Sequence, residues 1–207
     1  MSELRQALAE ISAIRTQVAR ETQFRGYGPR STAASGVLAI LVASVQSLWL
    51  KGSRADARVF LMVWVGTAAV AAGVSAWETY VRTRKVHFGF SREMIQAAIE
   101  QFLPAMVVGL MLTVVLVRAA AQELWMLPGL WQLSFSLGIF ASCRFLPRPM
   151  FAVGLWYLVA GLACLAVEGG PHEFSPWTMG IPFGIGQLFL AAVLKYGYED
   201  SVEERHT

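Results

Sequence analysis

Six apolar segments, each 16 to 21 residues long and almost free of charge, fill most of this 207-residue chain. About 20 apolar residues in a helix match the roughly 30 Å hydrocarbon layer of a bilayer. Within lipid, only helices and closed barrels satisfy every backbone N–H and C=O. The segments cover residues 33–50, 59–77, 102–117, 124–143, 150–167 and 174–194. None alternates as a barrel strand does, and each far exceeds the roughly 10 residues such a strand needs. The pattern predicts an all-α fold, a polytopic membrane bundle of six transmembrane helices over residues 31–198. An amphipathic N-terminal helix and linker (1–30) precede it, and a short cytoplasmic tail (199–207) follows.

Composition agrees, with 56% hydrophobic and only 15% charged residues, and after six spans no room remains for a soluble catalytic domain. A net charge of +3 raises the question of nucleic acid. The bases, however, cluster beside the membrane ends, where they set topology, so no nucleic-acid partner is expected. Residues 1–30 lack the apolar core of a signal peptide, and Glu3, Glu10 and Glu21 do not suit a transit peptide. The first span is therefore expected to act as an uncleaved anchor. Cys143 and Cys164 form no CxxC pair. Their depths differ by roughly 20 Å at 1.5 Å per residue, beyond the reach of a disulfide, so both are expected to be free thiols.

Charge also orients the bundle. Arg5, Arg15, Arg20, Arg25 and Arg30 precede the first span, and Arg82, Arg84, Lys85 and Arg92 lie between the second and third. Arg144 and Arg148 link the fourth and fifth, while Lys195 and Arg205 follow the sixth. These 13 share one side, and only Lys51, Arg54, Arg58 and Arg118 occupy the other. The positive-inside rule places both termini in the cytoplasm, and the setting expected is a bacterial inner membrane. Trp49, Trp125, Trp131 and Trp177 fall at the opposite, outer ends, as an interfacial belt does.

Residues 3–24 read as an amphipathic helix with Leu4, Leu8, Ile11, Ile14 and Val18 on one face. It either docks on the bundle or the headgroups, or binds a protein partner such as a regulator or a second copy. Between spans two and three, Ser91 is a candidate N-cap for a helix running into span three, where Pro104 would kink it. A faint repeat relates Pro104-Ala-Met-Val-Val-Gly109 to Pro149-Met-Phe-Ala-Val-Gly154, and Pro128 with Gly138 to Pro176 with Gly186.

No chemistry-bearing motif stands out. There is no HExxH, no GxSxG elbow and no paired acidic motif in the spans, so the chain is read as non-enzymatic and without cofactor. His87, His172 and His206 share no depth inside the bundle, which leaves haem ligation unsupported. Glu168, His172 and Glu173 on one loop are a weak metal signal, and no metal is assigned to them. Arg118, at the end of span three, either snorkels or pairs with Glu123 or Glu168, or it contacts a substrate anion. Span six carries Gly180-Ile-Pro182-Phe-Gly184-Ile-Gly186-Gln187, and interrupted helices of this kind line transporter sites. Arg118, Gln132, Gln187 and Glu168 are thus a candidate intramembrane polar pocket for a small molecule or lipid, with close packing as the alternative account. Ala69-xxx-Gly73 in span two offers a similar packing face.

Glu10-Ile-Ser-Ala-Ile-Arg15, Gly26-Tyr-Gly-Pro-Arg-Ser-Thr-Ala-Ala-Ser-Gly36 and the span from Trp177 through Gly180-Ile-Pro-Phe-Gly-Ile-Gly-Gln to Lys195 resemble a family of small bacterial six-span integral membrane proteins. That resemblance carries no activity, cofactor or catalytic residue; it implies a membrane partner of winged-helix regulators. The size, span number and cytoplasmic termini are also similar to the substrate-binding subunits of energy-coupling-factor vitamin transporters. Ala39-xxx-Ala43 has the spacing with which those subunits dock on their membrane partner. The function expected is a sensor, accessory or regulatory membrane subunit acting through protein or lipid contacts. Binding or transport of a small solute is the alternative.

Overall fold

The computed structural model describes residues 29–49, 56–85, 89–143, 149–166 and 174–203. They form six α-helices: α1 (Pro29–Trp49), α2 (Ala57–Lys85), α3 (Gly89–Ala119), α4 (Leu127–Ser142), α5 (Met150–Ala166) and α6 (Trp177–Glu203). A 3-10 segment, Ala121–Met126, leads into α4, and no strand occurs among the described residues. Among the described residues five stretches are long and apolar enough to cross a bilayer: Pro29–Trp49, Ala57–Glu78, Glu100–Ala119, Ala121–Ser142 and Trp177–Lys195. The sixth helix, α5, has 17 residues, about 25 Å at 1.5 Å each, and is the short member. Large apolar side chains cover the outside, Met62, Leu110, Leu137 and Val159 among them. A surface of that extent requires lipid or protein to cover it.

Side by side, the helices run in the order α2, α1, α6, α5, α4, α3. The largest contacts join α1 to α6, α4 to α5 and α3 to α4. Half of the spanning window of α4 is buried but only 6% of that of α3, so α4 is central and α3 peripheral. Although consecutive in the chain, α2 and α3 share no extended interface among the described residues. The bundle closes at the end carrying Trp49. There Phe60, Leu61 and Trp64 of α2 pack with Ala39, Ala43, Leu124, Leu127 and Met179, and Leu116 of α3 joins them. A second core lies toward the other end, where Ile139, Met150, Val153, Tyr157 and Val193 meet Phe102, Phe135 and Phe183.

Several boundaries differ from the hydropathy reading. The fourth span starts as a 3-10 segment, and its α-helix begins only with Leu127-Pro128. A proline in the first turn needs no N–H donor there. Helix α3 starts at Gly89, so Ser91 lies within its first turn rather than capping it. Both α2 and α3 run well past their apolar segments, because hydropathy marks the membrane and not the end of a helix. The faint repeat is only half carried through. Pro128 and Pro176 both sit at helix starts, but Pro104 lies inside α3 whereas Pro149 precedes α5. The helix expected over residues 3–24, with Leu4, Leu8, Ile11, Ile14 and Val18, lies outside the described residues.

The seam between α1 and α6 decides the fate of two small-residue motifs. A methyl group added to Gly180 would fall on the Ala43 side chain, and one on Gly184 would come within 2.5 Å of Ile40. Ala39 and Ala43 are buried in this seam at 4% and 0% exposure. The Ala39-xxx-Ala43 face is therefore used inside the bundle, not left open for a membrane partner. Ala69-xxx-Gly73 is not used this way: among the described residues nothing lies within 4 Å of a carbon added at Gly66 or Gly73, and Ala69 is exposed.

Candidate functional site

Proline 182 dictates the chemistry around it. It has no N–H, so the carbonyl of Thr178, four residues earlier, loses its partner in the helix. Gln132 of α4 fills that place, its Nε2 donating to Thr178 O at 2.9 Å. The same Nε2 lies 3.5 Å from the Cys164 sulfur, which is 3.7 Å from Thr178 O. From α5, Trp156 Nε1 donates to the carbonyl of Pro182 itself at 3.0 Å. Two neighbouring helices thus hold α6 at its interruption. Gln132 is fully buried, and its Oε1 has no hydrogen-bond partner among the described residues.

Gln187 belongs to a second polar group further along α6. The Ser35 hydroxyl of α1 lies 3.4 Å from Gln187 Oε1 and makes a 2.7 Å bond to Thr32 O. On the α5 side stands Tyr157, 0% exposed, with its hydroxyl beside Gln187. Glycine makes this approach possible, because a methyl group on Gly186 would collide with the Tyr157 ring and hydroxyl. Phe135 and Phe183 fix the ring at centroid distances of 4.7 and 5.3 Å.

The residues of the sequence-derived pocket therefore occupy different places. Gln132 and Gln187 are both internal, but the former acts at Thr178, nine residues from Gln187 and about 13 Å along α6. Phe183 lies between these levels. Arg118 is exposed in the last turn of α3, and nearby Glu123 accepts a 3.0 Å bond from Trp125 Nε1. Glu168, His172 and Glu173 lie outside the described residues. Among the described residues no group of three His, Cys, Asp or Glu side chains could hold a metal ion. Cys143 and Cys164 are free.

Three further interior polar side chains bind neighbouring helices. Ser136 donates to Gly154 O at 2.8 Å, Trp131 Nε1 to Thr113 Oγ1 at 2.8 Å, and Trp64 Nε1 to Gln46 Oε1 at 3.0 Å. Trp131 is thus tied to α3 and is not a free member of an interfacial belt. Tyr157 and the Thr178 carbonyl were not singled out from the sequence. The signal for the second was present: counting four residues back from Pro182 names the acceptor that needs a donor. Comparison with protein-family models, with curated proteins and with solved structures finds no match.

Proposed function

We propose that this chain is a non-enzymatic integral membrane protein that works through contacts with protein or lipid, as a sensor, accessory or regulatory subunit. The observation that supports it is where the interior polar groups go. Gln132, Ser136, Trp131, Trp156 and Trp64 each bind a neighbouring helix or side chain and hold the bundle together, rather than converging on one chamber. Meanwhile α2 and α3 turn most of their surface outward, as elements that meet lipid or a partner do. In this reading both termini are cytoplasmic in a bacterial inner membrane, and the stripe Leu4, Leu8, Ile11, Ile14 and Val18 contacts the bundle, the lipid headgroups or a protein. The resemblance to membrane partners of winged-helix regulators belongs to the same proposal.

Reconstitution tests it. In proteoliposomes the protein should give no saturable uptake across a panel of amino acids, sugars, vitamins and small ions. Saturable uptake of any of them overturns the proposal in favour of solute transport. Orientation has its own measurement, with an impermeant thiol reagent on intact cells. A cysteine replacing Gly170 should react and one replacing Arg84 should be shielded; the reverse pattern refutes the assigned orientation.

A further inference from the structure

The Tyr157 hydroxyl poses a problem of donors and acceptors. It is wholly buried and makes no well-formed hydrogen bond among the described residues, although the Gln187 carboxamide lies close enough to interact with it. The group sits seven residues into α5 and ten residues into the spanning part of α6, about 10 and 15 Å from the respective helix starts. Bulk water does not reach that depth of a bilayer, so any partner of the hydroxyl, a side chain or a bound water, has to be held inside the bundle.

Ser35 does not resolve the shortage. Its single proton is taken up by Thr32 O at 2.7 Å, and its 3.4 Å separation from Gln187 Oε1 is long beside the roughly 2.7–2.8 Å of a good O–H···O bond. Gln187 Oε1 is left short of a donor, Ser35 Oγ retains acceptor capacity, and Tyr157 has a proton without an acceptor. The tyrosine has little freedom to correct this by moving, since Phe135, Phe183 and Gly186 enclose its ring.

We infer that a single bound water sits between Tyr157, Gln187 and Ser35 in the apolar layer. It accepts from the Tyr157 hydroxyl and donates to Gln187 Oε1 and Ser35 Oγ. Three partners are the usual number for a buried water. The site joins α1, α5 and α6 through one neutral molecule, and it does not depend on the functional reading above.

Two measurements decide it. Tyr157→Phe removes only the hydroxyl and should lower the Tm by about 2–4 °C, the shift one lost polar link gives in a chain of this size. In solid-state NMR on protein in bilayers, magnetisation should pass from water to the Tyr157 and Gln187 side chains, and the Gln187 signal should fall in Tyr157→Phe. An unchanged or raised Tm shows that the hydroxyl had no partner to lose, and overturns the inference. A lowered Tm without water transfer indicates a direct Tyr157–Gln187 bond, and overturns it as well. If Tyr157→Phe does not fold, Ser35→Ala decides. Reduced water transfer at Tyr157 in that variant supports the bound water, and undiminished transfer refutes it.

Discussion

The seam between α1 and α6 and the outward face of α2 are built from the same kinds of residue and behave in opposite ways. Gly180, Gly184, Gly36, Ala39 and Ala43 bring two helices so close that added methyl groups would collide across the seam. On α2, Gly66 and Gly73 have open space around them. Small residues lower the distance at which helices can meet, but they do not select the partner. Selection comes from what faces them. Helix α1 presents Ile40 to the hollow at Gly184, and Ser35 lies near Gln187 further along the seam. Helix α2 instead anchors through Phe60, Leu61 and Trp64 at one end, and none of its described side chains beyond Trp64 is buried.

The strongest test of that contrast is the same substitution on both faces. Gly180→Val should destabilise the protein by about 3 kcal/mol, at the upper end of what overpacking costs, because the added carbons meet Ala43. Gly73→Val should cost well under 1 kcal/mol. Thermal unfolding of the purified variants, followed by size-exclusion chromatography, measures both. Equal effects at the two glycines would remove the distinction between a packed face and an open one.

A smaller effect is expected at the interruption of α6. Gln132→Leu keeps the volume but removes the amide donor of Thr178 O and leaves it only the weak Cys164 thiol at 3.7 Å, for a cost of about 2 kcal/mol. Pro182→Ala restores the N–H that this carbonyl lacks. In that background the glutamine is no longer needed, so Gln132→Leu should cost less than half as much. A double-mutant cycle reads the coupling directly. Additive costs would mean that Gln132 serves packing alone, and that the break in α6 is stabilised in some other way.

Below that in size comes the attachment of α2. Trp64→Phe retains an aromatic ring beside Phe60 but removes the donor to Gln46 Oε1, at about 1 kcal/mol for a typical net hydrogen bond. Because this bond ties α2 to α1, the change should appear first as faster proteolysis between those helices, before any loss of the α1–α6 seam. Global unfolding without that early cleavage would show that α2 is held to the bundle as firmly as α6.

Hydropathy made the helices legible because membrane thickness imposes a length that few soluble elements share. Adjacency was not legible, since apolar faces carry little information about which neighbour they meet. Gln132 shows the consequence. A glutamine in an apolar run reads as pocket lining, and only the position of Pro182 on another helix turns it into the donor that completes a broken ladder. Tyr157 gave no signal for the same reason, as its relation to Gln187 exists only once α5 and α6 are placed side by side. Arg118 was conspicuous as a charge, but its exposed position at the end of α3 separates it from both internal polar groups. The sequence signalled cost well and contact poorly.

The smallest expected effect carries the sharpest information about α2. In the interior of a helix, alanine is favoured over glycine by about 0.8–1.0 kcal/mol, because glycine loses more backbone freedom on folding. That gain is realised only where the new methyl group meets nothing. Gly73 has no atom of the described bundle within 4 Å of the added carbon, so Gly73→Ala should be neutral or stabilising by up to about 1 kcal/mol. Gly184→Ala, with Ile40 at 2.5 Å, should be destabilising despite the same intrinsic preference. Thermal unfolding in lipid nanodiscs, paired with the oligomeric state in a mild detergent, provides the comparison. If Gly73→Ala instead lowers stability or dissociates an oligomer, then something outside this bundle packs against α2. The outward face would then be a second seam, between molecules.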